Sequence, residues 1–219
     1  MNSVAPLQSL TEQQQRAVDD ARHRFGHEHP QTLTAMLDLA ETMWAQGRLI
    51  AARKLEEQVV AGRRRLFGAG DPDTLKAIGK LAVTMAAQGE LAEARALQEE
   101  VVAGMRSLHG DTGQDTLRAI NNLAGTVAAQ GDLAGAIELL QSVITRIGRE
   151  YGEHHPDCLD AMGNLAGVLW QGGDWAEAYE LQREVVELRR RLHGDADERT
   201  QTAAAVLEIM ERDTSFSLG

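Results

Sequence analysis

The chain has 219 residues, of which 43% are hydrophobic but only 4% aromatic, and it carries a formal net charge of −11 at pH 7. So acidic a chain disfavours nucleic acid and an anionic membrane surface as partners, because both bind through basic faces. The N-terminal residues lack the basic and apolar regions of a secretory signal, and no apolar run is long enough for a membrane helix, so we expect a cytoplasmic protein.

The chain opens on a predicted flexible tail at residues 1–8 and a leading helix at residues 9–26. In that helix Ala17, Val18 and Phe25 recur at helical spacing, so we expect them to face inward. The opposite side is polar, as is typical of a helix that caps a repeat array.

The central part of the chain repeats itself every 42 residues without a slip of register. The matching positions are a leucine–alanine pair, a glycine, a second alanine and a closing glycine, which in the second copy are Leu81-Ala82, Gly89, Ala94 and Gly110. Four copies are present, near residues 27–68, 69–110, 111–152 and 153–194. A repeat of this length predicts a stacked array in which each unit buries its apolar side against the next.

Each copy contains two amphipathic helix patterns separated by a glycine, which we call helix A and helix B. Gly62 and Gly104 lie inside B helices, where close approach by the next repeat would explain them. A trailing helix is predicted at residues 197–213, with Val206, Leu207 and Met210 inward, followed by a C-terminal tail at 214–219. Residues 9–213 therefore form one solenoid of about ten helices.

The large–small pair on helix A, the turn glycine and the helix B alanine resemble the tetratricopeptide repeat. The 42-residue period, the His29-Pro30-Gln31-Thr32 start and the Asn121-Asn122-Leu123-Ala124 motif resemble its kinesin light chain-like subtype, which also occurs in bacterial proteins. The resemblance implies an all-α, right-handed α-α superhelix. It also implies that the A helices line a concave groove in which asparagines hydrogen-bond an extended peptide.

The positions that correspond to this groove recur at helical spacing on each A helix. They are Asp38, Glu41 and Trp44 in the first copy, Lys76 and Lys80 in the second, Arg118, Asn121 and Asn122 in the third, and Asp160, Asn164 and Trp170 in the fourth. Asn122 and Asn164 keep the family's asparagine, whereas Asp38 and Lys80 replace it. We expect a basic centre at Lys76, Lys80 and Arg118, which favours a peptide with a central acidic group.

Catalytic, metal and cofactor sites have little support in the sequence. The neighbouring histidines His27, His29, His154 and His155 lie in predicted loops and lack the spacing of a helical metal site. No phosphate-binding loop, nucleophile elbow or cysteine–histidine signature is present. The arginine runs 63–65 and 189–191 are expected on a solvated outer face. We therefore predict a protein that is not an enzyme and binds no metal or cofactor.

The favoured function is a protein–protein interaction module that binds a peptide or protein segment in the groove, as a monomer or a weak homo-oligomer. Two alternatives stay open. One is a self-assembling scaffold, which the polar outer sides of both end helices disfavour. The other is an enzyme or accessory subunit that binds a small molecule in the groove, which the lack of a catalytic motif disfavours.

Overall fold

The computed structural model describes the backbone of residues 4–217 and the side chains of residues 10–213. This part of the chain forms ten α-helices and no strand, which confirms the all-α prediction. The helices are α1 (Val4–Phe25), α2 (Pro30–Ala45), α3 (Leu49–Phe67), α4 (Pro72–Ala87), α5 (Leu91–His109), α6 (Gln114–Ala129), α7 (Leu133–Tyr151), α8 (Pro156–Gly172), α9 (Trp175–His193) and α10 (Glu198–Ser217).

Glycines end the helices at a regular interval. Nine glycines, from Gly26 to Gly194, have positive φ angles between 74° and 92°, and they follow one another every 21 residues. This interval is half of the 42-residue repeat, so one such glycine follows every A helix and every B helix. Residues with a Cβ atom rarely adopt this conformation, which is why the turn positions hold glycine in every copy.

Three of the four A helices, α2, α4 and α8, are capped at their start by a side chain, whereas α6 begins after Gly113 and has no side-chain cap. Asp71 accepts a hydrogen bond from the backbone N–H of Thr74 at 2.9 Å, and proline follows at the first helical position. His29 and His155 cap α2 and α8 through Nδ1 at 3.3 Å. These two histidines are therefore capping residues, which agrees with the prediction that they lie in loops rather than in a metal site. Asp132 caps α7, whereas the side chain of Asp174 at the start of α9 makes no capping hydrogen bond.

The core of each hairpin lies where small residues allow helix A and helix B to approach closely. Ala40, Ala82, Ala124 and Ala166 on the A helices are completely buried, and so are Ala52, Ala94, Ala136 and Ala178 on the B helices. Beside them, a leucine of each A helix is 1–2% exposed: Leu33, Leu75, Leu117 and Leu159. An apolar core built from alanine and leucine explains why so few aromatic residues are needed.

The chain divides into two compact units, Met1–Leu108 and His109–Gly219. In the first, which we call unit 1, successive helices from α1 to α4 pack on each other. In unit 2, successive helices from α6 to α10 do so, and α6 also contacts α8. Contact between helices that are neighbours in sequence is the packing expected of a repeat array.

The end helices differ from their predictions. The helix α1 begins at Val4 rather than near residue 9, and α10 continues to Ser217 rather than ending at 213, so helix replaces part of both predicted tails. Residues 1–3, 218 and 219 lie outside the described residues. Val18 and Met210 are buried as predicted, but Ala17, Phe25 and Val206 are exposed and Leu207 is only half-buried. A helix at the end of a stack has one neighbour, so only a narrow stripe of it is covered.

Candidate functional site

The predicted site residues of unit 1 lie on α2 and α4. A salt bridge of 2.5 Å joins Lys80 Nζ on α4 to Glu41 Oε1 on α2. Asp38, one turn before Glu41, is exposed over much of its surface. Partial desolvation of its carboxyl and the neighbouring Glu41 raise the pKa of Asp38. The ammonium group of Lys80 is therefore already engaged by an acidic side chain. Lys80, which was expected to belong to a basic centre, is thus paired with Glu41 in the structure.

A buried carboxylate lies beside this salt bridge. Glu56 on α3 is only 2% exposed, and its Oε1 accepts a hydrogen bond of 3.0 Å from the hydroxyl of Thr84 on α4. Its Oε2 has no hydrogen-bond partner. Burial raises the pKa of Glu56, and its carboxyl interacts electrostatically with both Lys80 and Glu41. We call Asp38, Glu41, Glu56 and Lys80 the Glu56 cluster.

The other predicted residues of unit 1 lie nearby on the same helices. Trp44 on α2 has 43% of its surface exposed, which is high for a large apolar side chain. Lys76 on α4 is also exposed. Below the A helices, the buried Arg63 of α3 donates to the Thr34 hydroxyl at 3.1 Å and pairs with Asp73 at 3.3 Å. The first arginine of the 63–65 run is therefore part of the interior.

The predicted residues of unit 2 lie around a cavity of about 310 Å³, which we call the α6–α8 cavity. Its polar lining consists of Arg118, Asn121, Asn122, Asp157, Asp160 and Arg199. Its apolar lining consists of Leu117 on α6 and of Val143 and Ile147 on α7. Four of the predicted residues, which are Arg118, Asn121, Asn122 and Asp160, are thus brought together on one side of unit 2.

Asparagine side chains lie in the cavity and next to it. Asn164 Nδ2 on α8 donates a hydrogen bond of 3.1 Å to Asn121 Oδ1 on α6. Asn122, at the position where the family's asparagine is kept, is exposed and leaves its amide accessible. Trp170 on α8 packs against Trp175 with ring centroids 6.5 Å apart.

The arginines of the cavity are held loosely by aspartates. Arg118 Nε lies 3.4 Å from Asp157 Oδ1, and Arg199 Nη1 lies 3.7 Å from Asp160 Oδ2. Both guanidinium groups are more than half exposed, at 55% and 61%. The buried Arg189 binds Asp160 more closely, at 2.5 Å, and its Nε has no partner. The cavity therefore offers more guanidinium donors than its two carboxylates accept.

Sequence reasoning missed several of these residues. The position of Glu56 is apolar or amide-bearing in the other repeats, and that of Arg189 holds Met105 in α5 and Ile147 in α7 but Arg63 in α3. A charged residue inside a largely apolar pattern was the available signal. Asp157 lies in the first turn of α8, and its carboxylate accepts a hydrogen bond of 2.9 Å from Gln114. Arg199 gave no signal, because it lies on a helix outside the complete repeats.

The described residues give no sign of another kind of site. Among them, no group of three or more His, Cys, Asp or Glu side chains lies close enough together to hold a metal ion. Cys158 is buried, and burial raises the pKa of its thiol, which makes it a packing residue rather than a nucleophile. None of the helices described is long and apolar enough to cross a membrane.

Comparison with known proteins gives the same fold. Two models of the tetratricopeptide repeat match the chain, one at residues 73–146 and 115–191 and the other at residues 32–73. Two crystal structures show a similar protein of Podosopora anserina, which is described as a kinesin light chain with nearly identical TPR-like repeats. One of them is a single-substitution variant of that protein. Both structures are 28% identical and cover 85% of this chain. The variant has a TM-score of 0.73 with 88% of its own chain covered, and the other 0.71 with 89%.

BtubC (BKLC) from P. vanneervenii has the same fold, with 17% identity and a TM-score of 0.70 over 94% of this chain and 87% of its own. No curated protein sequence matches the chain.

Proposed function

Because the chain belongs to the tetratricopeptide repeat family, in its kinesin light chain-like form, we propose that it is a non-catalytic module that binds an extended peptide or protein segment on its A helices. The family and its neighbours support a protein-interaction or scaffold role in general. The finer proposal rests on one observation, the α6–α8 cavity, where predicted A-helix residues and unsatisfied donors converge.

The cavity is suited to an acidic side chain or a terminal carboxylate. The exposed guanidinium groups of Arg118 and Arg199 have donors that their aspartates do not use, and a carboxylate can accept two parallel hydrogen bonds from one guanidinium. The buried Val143 and Ile147 close the inner end of the cavity, so its polar groups lie toward the surface. These features support Arg118 and Arg199, rather than Lys76 and Lys80, as the binding site for the acidic group of the partner.

The amides and the tryptophan pair would bind the rest of the segment. Asn122 can donate to a peptide carbonyl and accept from a peptide N–H, which suits the backbone of an extended chain. Trp170 and Trp175 offer aromatic surface to an apolar side chain. We expect affinity to decrease as salt rises, because the central contacts are ionic.

A selection from a random linear-peptide phage library tests the proposal. We expect wild-type protein to enrich peptides that share an acidic residue. Arg118→Gln should weaken the best of them about tenfold, because a charge-assisted hydrogen bond is lost. Asn122→Ala should weaken them less. Affinities would be measured by isothermal titration calorimetry at two salt concentrations.

The matched control is Arg149→Gln, which removes an exposed arginine of α7 that does not line the cavity. It should leave the affinity of the selected peptides unchanged. Equal losses in Arg118→Gln and Arg149→Gln would show only a general charge effect and would overturn the proposal. Failure to enrich any peptide sequence would overturn it as well.

A further inference from the structure

The Glu56 cluster of unit 1 has the opposite charge to the α6–α8 cavity. The Lys80 ammonium contacts the carboxylate of Glu41 and interacts electrostatically with those of Asp38 and Glu56. The three carboxylates come from two different helices, α2 and α3, and Lys80 lies on a third, α4. Such an arrangement leaves an excess of negative charge on the face where a bound segment would lie.

The position of Glu56 shows that the cluster is more than a set of exposed acids. Glu56 is buried, so its carboxylate is shielded from water, and one of its oxygens has no hydrogen-bond partner. Gln98 and Gln182, at the same position of their repeats, also have an unpaired Oε1, so the property that distinguishes Glu56 is its buried charge, which is more costly than a buried amide. The carboxyl of Glu56 acts on Lys80 and Glu41, so the unpartnered group belongs to the same cluster.

The equivalent residues of other repeats show that the charge is not needed for packing. The position of Glu56 is occupied by Gln98 in α5 and by Gln182 in α9, both equally buried. An uncharged amide of the same shape therefore fits this site in the fold. The carboxylate of Glu56 adds a negative charge next to α2 and α4. The two repeats that have glutamine at this position have no charge there.

We propose, on the basis of the peptide-binding function above, that the Glu56 cluster is a subsite of unit 1 for a basic side chain of a partner segment, an arginine guanidinium or a lysine ammonium. In the unbound protein Lys80 occupies the subsite as an internal cation. Its long side chain is flexible and 40% exposed, so it can move aside when a partner cation arrives. The ligand cation then pairs with Glu41 and with the buried charge of Glu56.

This assignment reverses the role of Lys80. If Lys80 recognised an acidic group of the partner, its removal would weaken binding. If it competes with the partner's cation, its removal strengthens binding. The substitution Lys80→Met keeps the methylene chain and removes only the charge, so it distinguishes the two roles.

The experiment uses two short peptides as probes, acetyl-Ser-Ala-Arg-Ala-Ser-amide and the same peptide with citrulline in place of arginine. Citrulline has nearly the shape of arginine without its charge. Titration into ¹⁵N-labelled full-length protein should shift the backbone amide signals of Asp38, Glu41 and Lys80 with the arginine peptide only. We expect binding about threefold weaker in Glu41→Gln, about tenfold weaker in Glu56→Gln and severalfold tighter in Lys80→Met.

Glu93→Gln is the matched control, since Glu93 is an exposed residue of α5 outside the cluster, and it should bind as the wild type does. Equal shifts with the citrulline peptide, or weaker binding by Lys80→Met, would overturn the subsite. These outcomes are independent of the acidic peptides and Arg118, so the subsite can fail while the proposed function stands. Loss of arginine-peptide binding by Glu93→Gln would also count against it.

Discussion

One position of helix B is buried in all four repeats but is polar in three of them. Glu56, Gln98 and Gln182 are 2–3% exposed, and Leu140 takes the same place in α7. Gln182 Nε2 donates to the carbonyl oxygen of Ala203 at 2.8 Å, yet its Oε1 remains unpaired, as does that of Gln98. Glu56 is the one residue of this set that adds a charge, and it therefore has the largest desolvation cost.

We predict that Glu56→Gln stabilises the protein near neutral pH. Burial raises the pKa of Glu56, so the folded chain retains a proton at pH values where the unfolded chain has lost it. The unfolding free energy therefore decreases as pH rises from the ordinary pKa to the raised pKa and levels off above it. The glutamine variant lacks this decrease. In urea titrations at about pH 7.5, the variant should therefore unfold at a higher urea concentration than the wild type.

The pH dependence separates this effect from general repacking. At about pH 4 the carboxyl is protonated in both states, so the difference between variant and wild type should nearly vanish. A constant difference at both pH values would contradict the raised pKa. A variant that is more stable yet binds the arginine peptide less tightly would show that this charge serves binding, at a cost in stability.

At the scale of the helix pair, small residues decide how closely helix A and helix B approach. Gly62 and Gly104 were expected to make room for the next repeat, and that expectation is wrong. A Cβ atom on Gly104 would lie 2.6 Å from Leu75 Cδ1, and one on Gly62 would lie 2.9 Å from Leu33 Cδ2. The close approach is therefore made by helix A of the same hairpin. The leucine that recurs at this position of helix A, Leu33 or Leu75, packs directly against the glycine of helix B.

We predict that Ala82→Leu and Ala124→Leu destabilise the protein by about 1–3 kcal/mol, because both alanines are completely buried and a larger side chain overpacks the helix pair. Ala87→Leu is the matched control, since Ala87 is exposed at the end of α4. Its melting temperature should stay close to that of the wild type. Equal decreases in all three variants, measured by circular dichroism, would contradict the assigned faces.

At the scale of the whole molecule, each repeat is stabilised mainly by its neighbours, so the end of the array needs a cap. In unit 2, α10 serves this purpose for α9. It accepts the hydrogen bond from Gln182 and one of 3.1 Å from Arg189 Nη1 to the carbonyl oxygen of Arg199. Removal of α10 would leave these buried groups unpaired.

We therefore predict that ending the chain at Asp197 lowers the melting temperature by on the order of 5 °C, measured by scanning calorimetry. Ending it at Asp213 is the control, because that variant keeps the segment of α10 that contacts α9 through Gln182 and Arg189. Comparable losses from both truncations would contradict a capping role for the first turns of α10.

The sequence by itself determined the helical repeats and their turns. The 42-residue period, the glycines between helices and the buried alanines are local or periodic properties, since each depends on backbone conformation or on helical spacing. They predict the fold class and the helices that carry Arg118, Asn122 and Lys80. The inward arginines of the two arginine runs could not be predicted, because a run of like charges gives no indication of which member is turned inside.

Only the tertiary structure decided how the charges of the site are paired. Lys80 and Glu41 are 39 residues apart in the sequence, yet a 2.5 Å contact pairs their charged side chains. Asp160 binds Arg189 and Arg199 from two later helices, and this arrangement creates one wall of the α6–α8 cavity. Electrostatic pairing depends on distance in space and on burial. A repeat pattern specifies which helix face a residue occupies, but the partner across that face is set by the packing of neighbouring helices.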